Sequence, residues 1–336
     1  MKRWQADAAL LATALLWGGA FVAQREVEGV IPPLTFVAAR FAISAVALAP
    51  FAAVEARRAA APLDARSWRL GIGIALTLFV GSALQQVGLA TTTATNGGFL
   101  TACYVALTPL AVWLLSGRPP RPIVALACTL AVAGAWLLAS GGGPAQPLTI
   151  GDGLIALSDF AWALGIAWTP MFLARSPRPF TLAFLEYAVC GALAAVAAPA
   201  FETIRAADFV AGLVPLLYAG VISGAVAFTL TIVAQRYTPP AEAALVLSLE
   251  SVFAAVAGAI LLGERLTAPA TAGCALILFS VLMVEFGGPL LLRLKSAGLG
   301  GRESGRAARP GEARLRLPKA ARPRRRARLH ALGKPS

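Results

Sequence analysis

Long apolar runs recur along this chain from residue 6 to residue 287, and they constrain the fold more than any other feature. A helix that crosses about 30 Å of hydrocarbon needs roughly 20 mostly apolar residues, because each residue adds about 1.5 Å of rise. Inside hydrocarbon the backbone N–H and C=O groups must be paired within the segment, so we expect each run to be a helix. The sequence therefore predicts an all-α membrane protein.

Ten such runs are bounded by charged residues, Pro or Gly. Charged residues make up only 13% of the chain, whereas soluble domains contain about a quarter. This deficit is expected of a protein whose solvent is lipid. The predicted spans are 6–24, 33–54, 68–90, 94–115, 121–140, 151–174, 180–200, 210–235, 240–262 and 268–287.

The loop charges predict the orientation of these spans. With the N-terminus inside, the cytoplasmic ends and loops hold eleven Lys or Arg residues, and the outer loops hold three, namely Arg25, Arg205 and Arg265. Basic residues favour the cytoplasmic side of a membrane. We therefore expect a multi-pass protein of a bacterial inner membrane, with both the N- and C-termini in the cytoplasm.

An internal repeat appears when the chain is shifted on itself by 146 residues. The shift places Arg40 on Glu186, and it places spans one to five on spans six to ten. Because five is odd, the second copy should enter the membrane in the opposite direction. The prediction is two inverted five-helix repeats, 1–145 and 146–290, an architecture used by secondary carriers. Chance alignment of two Ala- and Leu-rich halves is the alternative.

Several stretches also resemble a known family. Two of them, Thr238–Ala255 and Leu261–Thr267, lie in the second half. The others lie nearer the N-terminus and are Asn96–Tyr104, Thr108–Leu110 and Gly151–Ser158. These are similar to the EamA-type branch of the drug/metabolite transporter superfamily, over roughly residues 7–287. The resemblance implies ten helices with cytoplasmic termini. It also implies transport, mostly export, of amino acids, other metabolites or drugs.

Four charged side chains fall clearly inside predicted spans: Arg40, Asp159, Glu186 and Glu250. Each costs about 2.5 to 3.5 kcal/mol on insertion scales, so each should face a partner or a wet cavity. Arg40 and Glu186 are expected at similar depth, either as a gate or anion anchor or as a structural ion pair. Glu250, opposite Tyr104 in the repeat, is a candidate proton site or a structural carboxylate, and Asp159 has similar standing.

Uncharged polar residues are densest on the third and fourth spans: Gln85, Gln86, Asn96, Thr101, Tyr104 and Thr108. Thr101 and Tyr104 share a helix face. That face either lines a cavity or holds neighbouring helices together through hydrogen bonds. Trp17 and Trp162 are further candidates, because their rings could stack on a substrate.

The C-terminal segment is strongly basic, with 14 Lys or Arg against two Glu between Arg293 and Ser336. Its Pro, Gly and Arg content predicts a disordered cytoplasmic tail over 291–336. We expect this tail to contact anionic lipid at the membrane surface. Specific nucleic-acid binding is not expected, because no aromatic residues alternate with the arginines.

A secondary transporter, in particular an exporter working by alternating access, is the leading functional interpretation. The chain lacks a GxxxxGK[ST] phosphate loop, and its single histidine, His330, lies in the tail. We therefore expect no enzyme activity, no metal and no cofactor, and we expect a small-molecule substrate and the lipid bilayer as partners. The sequence leaves open whether the protein forms a homodimer. The alternatives are a membrane-embedded enzyme acting on a lipid or isoprenoid, and a non-transporting receptor or scaffold.

Overall fold

The structure, a computed structural model, describes residues 1–27, 29–92, 100–141, 149–261 and 265–299. All regular elements in these residues are helical. The helices are α1 Arg3–Val27, α2 Pro33–Arg58, α3 Ala65–Leu89, α4 Tyr104–Ser116, α5 Pro122–Ser140, α6 Ile150–Arg175, α7 Pro179–Phe201, α8 Ala206–Ala211, α9 Leu213–Ala234, α10 Pro240–Leu247, α11 Leu249–Leu261 and α12 Ala268–Leu299.

Eight helical segments of the described residues are long and apolar enough to cross a membrane. They are α2, α3, α5, α6, α7, α9, the combined α10 and α11, and α12 as far as Phe286. The first predicted span corresponds to α1. The fourth is represented by α4, a shorter apolar helix of 13 residues, and its predicted start lies outside the described residues. Of the predicted tail, residues up to Leu299 continue α12, and residues 300–336 lie outside the described ranges.

The helix starts follow the offset seen in the sequence. The starts of α2 and α7 lie 146 residues apart, as do those of α5 and α12, and the other three pairs depart from this offset by at most two residues. Helix ends are defined only to within one or two residues. Prolines begin α2, α5, α7 and α10, because the first N–H groups of a helix have no partner within it. The offset therefore relates α1 to α6, α2 to α7, α3 to α9, α4 to α11 and α5 to α12.

The equivalent helices α2 and α7 run antiparallel. Phe51 stacks on Phe180 at one end of the pair, and Thr35 contacts Glu202 at the other. Where the helices cross, a Cβ on Gly191 would lie 3.1 Å from the backbone nitrogen of Ala42. Small residues allow such close approach between membrane helices. The second repeat is thus turned over relative to the first along this central pair.

The same antiparallel relation holds for α5 and α12. Gly134 lies against Ile277, while Gly141 lies against Thr267. A Cβ on Gly273 would lie 2.5 Å from the backbone nitrogen of Leu138. The backbones of the two helices therefore pack directly against each other.

Equivalent tightened turns interrupt the two halves. The N–H of Val105 donates to the carbonyl of Ala102, and the N–H of Ser251 donates to the carbonyl of Ser248. These bonds span three residues rather than four, and their members lie 146 residues apart. Each turn places one candidate site residue, Tyr104 or Glu250, immediately beside it.

Helix α9 contains a π-helical stretch, Tyr218–Phe228. Its backbone carbonyls accept hydrogen bonds from four side chains on three neighbouring helices. The donors are Thr13 and Trp17 of α1, Ser44 of α2 and Tyr187 of α7. A π-helix alters the regular α-helical bonding and often occurs at functional sites. Here its carbonyls join α9 to both repeats.

Two large clusters and one small cluster of buried apolar side chains form the core. The first large cluster joins α1, α4, α5, α10, α11 and α12 with the end of α9, and the second joins α2, α3, α6, α7 and α9. The small cluster packs the end of α1 and the start of α2 against α9. Trp162 packs against both large clusters, and a cavity lies between them.

Candidate functional site

A cavity of about 110 Å³ lies between the two halves of the protein. Side chains from α1, α2, α3, α4, α6, α7, α9, α10 and α11 line it. Both repeats therefore contribute to one space, as expected of a site at a repeat interface.

The lining follows the internal repeat. Six pairs of lining residues are 146 residues apart: Ala20 with Ile166, Arg40 with Glu186, Thr77 with Ser223, Gln85 with Thr231, Thr101 with Leu247, and Tyr104 with Glu250. The cavity thus lies where the two antiparallel halves face each other through equivalent positions. Within two of the pairs the chemistry differs, because the equivalent of Arg40 is a carboxylate, Glu186, and the equivalent of the phenol Tyr104 is a carboxyl group, Glu250.

The structure brings together most of the residues that the sequence singled out. Eight of the eleven candidates line the cavity: Trp17, Arg40, Gln85, Thr101, Tyr104, Trp162, Glu186 and Glu250. Gln86 is half-buried outside the lining, Asp159 is fully buried outside it, and Asn96 lies outside the described residues.

Arg40 and Glu186 do not form the ion pair considered from the sequence. The guanidinium of Arg40 instead lies over the ring of Phe41, with Cζ 4.6 Å from the ring centroid, and Oε1 of Glu186 has no hydrogen-bond partner among the described residues. Arg40 lies at the crossing of α2 and α7, between Ala38 and Phe41, which lie against Gly191, and Glu186 lies five residues before Gly191. The expectation of similar depth stays a prediction.

Two hydrogen bonds between side chains of the described residues lie within the lining. The Tyr104 hydroxyl donates to Oε1 of Glu250 at 3.4 Å, and the Gln85 amide donates to the Thr101 hydroxyl at 3.3 Å. Asp159 lies close enough to Tyr104 and Glu250 for their charges to interact. Both of its carboxylate oxygens lack a hydrogen-bond partner among the described residues. Asp159 therefore supplies a second carboxyl group close to Glu250, outside the cavity lining.

Three aromatic rings from three helices meet at the cavity. Phe228 of α9 lies 4.5 Å from Trp17 and 5.9 Å from Trp162 between ring centroids. Trp17 is held by its indole N–H, which donates to the Ser223 carbonyl at 3.1 Å. The indole nitrogen of Trp162 has no such partner among the described residues. These rings give the cavity an apolar wall.

The cavity has several unused polar groups. Arg40 Nε, Glu186 Oε1, Trp162 Nε1 and Gln235 Oε1 are buried without a hydrogen-bond partner in the described part of the chain. Leaving a buried polar group unpaired costs about 1 to 3 kcal/mol. A solute that carries both donors and acceptors would satisfy them. In contrast, no cluster of three or more His, Cys, Asp or Glu able to hold a metal occurs among the described residues.

Some of the polar lining on α3, on α9 and directly after α9 was not predicted from the sequence. Thr77, Ser223, Thr231 and Gln235 all face the cavity. The repeat offset contained a usable signal, because Thr231 is the equivalent of the predicted Gln85. No comparable signal identified Gln235, whose exposure to the cavity depends on the π-helical geometry of α9.

An ion-pair network joins several helices at the end of the protein that holds the N-terminus. Arg3 and Arg121 both donate to Glu242, whose side chain is only 4% exposed. Arg3 also lies 3.3 Å from Glu285 and 3.5 Å from Asp7. One buried carboxylate thus joins α1, the start of α5 and α10, while Arg3 extends the network to α12.

Comparisons with known proteins agree with this architecture. The sequence profile of the EamA-like transporter family matches residues 4–140 and again residues 149–286. A protein from Archaeoglobus fulgidus, named as an uncharacterized transporter, is 31% identical over 285 residues, which cover 85% of this chain and 87% of that protein.

A protein of known crystal structure shares the fold, with a TM-score of 0.71 and 18% identity over 87% of this chain and 99% of the other. The two successive profile matches confirm both the two-repeat organisation and the resemblance noted in the sequence. The chain belongs to the EamA-like transporter family.

Proposed function

We propose that this protein is a secondary carrier that exports small metabolites, amino acids or drugs across a bacterial inner membrane by alternating access. The observation that carries the proposal is the cavity lined by equivalent positions of two antiparallel halves. Such a space can be exposed to either side by rocking one half against the other. The unpaired polar groups in the lining supply the binding chemistry.

The proposal includes ten spans with both termini in the cytoplasm. Eight apolar helices, together with α1 and the segment containing α4, provide this number. The repeats would occupy 1–145 and 146–290, and the basic tail 291–336 would lie against anionic lipid. Single cysteines at Arg58 and Ser140, in a chain lacking its four native cysteines, test the topology. Labelling of both from the same membrane face would contradict it.

The Glu242 network supports a specific closed end. It lies at the end that the loop charges assign to the cytoplasm, and it joins helices from both repeats. We propose that breaking it opens the cavity towards the cytoplasm. The tightened turns beside Tyr104 and Glu250 lie close to where the two halves would separate.

Transport is tested first in cells. Cells that express the wild-type chain should retain less of one or more members of a panel of amino acids and drugs than cells that express Glu250→Gln. Asp208→Asn is the matched control, because it also neutralises one carboxylate but lies on α8 outside the cavity. If neither the wild type nor either variant changes the distribution of any solute, the proposal fails.

Purified protein in sealed vesicles then separates a carrier from an enzyme. Movement of the unchanged solute without added ATP is the result expected of a secondary carrier. Chemical conversion of the solute, with no movement, would instead favour a membrane-embedded enzyme. The Glu250→Gln variant should lose transport while keeping the thermal unfolding profile of a folded protein.

A further inference from the structure

A second cavity lies outside the proposed transport site, at the junction of α2 and α7. Its volume is about 910 Å³, within the range of about 300 to 1,000 Å³ typical of ligand pockets. The C-terminal part of α2, the connector of residues 59–61 and the turn before α7 line it. It does not share residues with the cavity that holds Glu250.

The walls of this groove are apolar on the side that faces the membrane interior. Phe51 and Val54 are exposed by 57% and 45%, although both belong to a helix apolar enough to span the membrane. Phe51 stacks on Phe180, with 5.8 Å between ring centroids. Within a bilayer such an exposed apolar surface contacts lipid acyl chains.

Two arginines lie at the other end of the groove. Arg58 is exposed and forms no ion pair in the described part of the chain, and Arg178 donates to the carbonyl of Ala61. The only lining carboxylate, Glu55, already accepts hydrogen bonds from the backbone and the hydroxyl of Thr181 at 2.6 and 2.8 Å. The groove therefore has a net positive charge at this end, with two arginines against one carboxylate.

The spacing of these groups matches the two ends of a phospholipid. Seven residues of helix separate Phe51 from Arg58, a rise of about 10 Å. Arginine binds phosphate through paired N–H donors. This end of the protein also has the basic loops that favour the cytoplasmic side. A phosphate at Arg58 would leave its acyl chains beside Phe51 and Val54.

The positions of Arg58 and Arg178 are basic at only one of the two equivalent junctions. Under the repeat offset, Ile204 and Pro32 occupy the positions equivalent to Arg58 and Arg178. The equivalent junction at the opposite end of α2 and α7 forms without either arginine. The packing of α2 against α7 therefore does not by itself explain why arginines occupy positions 58 and 178.

We propose that this groove is a binding site for an anionic phospholipid of the cytoplasmic leaflet, held by Arg58 and Arg178 at its phosphate and by Phe51 and Val54 along its acyl chains. The site is independent of the proposed transport activity, because it shares no lining residue with the central cavity.

The test is lipid titration of the delipidated, full-length chain in detergent, followed by native mass spectrometry. Phosphatidylglycerol should bind more tightly than phosphatidylcholine. Arg58→Ala should weaken phosphatidylglycerol binding about fivefold, and Arg58→Ala with Arg178→Ala about 25-fold, since each basic contact contributes about 1 kcal/mol. If the double variant fails to fold, the effect of Arg58→Ala alone on phosphatidylglycerol binding tests the proposal.

A matched control has the same change in charge. Arg66→Ala with Arg69→Ala removes two exposed arginines at the start of α3, outside the groove, and should alter binding by less than twofold. Equal loss in the control and groove variants would overturn the proposal, as would equal binding of the two lipids. Displacement of phosphatidylglycerol by inorganic phosphate at tenfold excess would also overturn it, because the site would then hold a free anion.

Discussion

Glu202 accepts two hydrogen bonds from Thr35, one from its backbone N–H and one from its hydroxyl, both at 2.7 Å. Glu202 follows the last residue of α7, and Thr35 lies in the first turn of α2, so a carboxylate from one repeat caps a helix of the other. Glu55 makes the same two kinds of bond with Thr181 at the opposite end of these helices. Reciprocal caps thus tie the repeats together at both ends.

Glu202→Ala should lower the stability of the protein. It removes the acceptor for two hydrogen bonds from Thr35 and one from the N–H of Leu34, and loss of a helix cap costs about 0.5 to 2 kcal/mol. Thermal unfolding in detergent can be followed by the reactivity of the buried Cys128 and Cys190. Glu55→Ala should cause a similar loss, and an unchanged midpoint in both variants would show that the caps are dispensable.

Arg40→Gln and Glu186→Gln should act independently of each other. Because no ion pair or hydrogen bond joins these side chains, a double-mutant cycle on the free energy of unfolding should give a coupling below about 0.5 kcal/mol. Arg3→Gln with Glu242→Gln is the matched positive control, since this pair is in direct contact. Coupling above about 1 kcal/mol between Arg40 and Glu186 would restore the ion pair considered from the sequence.

Gly273→Ala should destabilise the contact between α5 and α12. The added Cβ would lie 2.5 Å from the backbone nitrogen of Leu138, so the helices would have to separate. Gly153→Ala in α6 is the control, because no atom lies within 4 Å of the added Cβ. Since Ala favours helices over Gly by about 0.5 to 1 kcal/mol, this control should be neutral or stabilising. Equal unfolding midpoints for the two variants would be the contrary result.

Glu242→Gln should destabilise the protein more than Glu285→Gln. Glu242 is 4% exposed and binds two arginines, whereas Glu285 is 23% exposed and binds Arg3 alone. We expect a loss of about 1 to 2 kcal/mol for Glu242→Gln, because both arginines are about half-exposed and solvent weakens such pairs. Thermal unfolding measures the order of the two variants, and the reverse order would argue against Glu242 as the centre of the network.

The positions of the helices could be read from the sequence because they depend on local composition. Apolar runs of sufficient length predicted the α2 and α7 helices directly, and Pro33 and Pro179 begin these helices at equivalent positions. The same offset of 146 residues recurs in the tightened turns beside Tyr104 and Glu250. A weak sequence repeat was therefore enough to predict which helices are equivalent.

The contacts inside the cavity could not be read in the same way. Whether Arg40 meets Glu186 depends on helix direction and crossing geometry. The cavity-facing position of Gln235 depends on the π-helical stretch before it, for which no sequence signal was recognised. Asp159 was correctly noted as a charge within a span, but its place behind the cavity lining required the structure.

The π-helical stretch of α9 affects the direction in which the side chains after it point. An α-helix turns by about 100° per residue, so removing one extra residue from a wide turn would rotate the later side chains by about that angle. Thr231 and Gln235 would then swing away from the cavity to which they now contribute. The π-helical stretch therefore determines the direction in which the polar side chains after it point. A one-residue deletion within 218–228 would turn these side chains without removing any lining residue beyond the deletion.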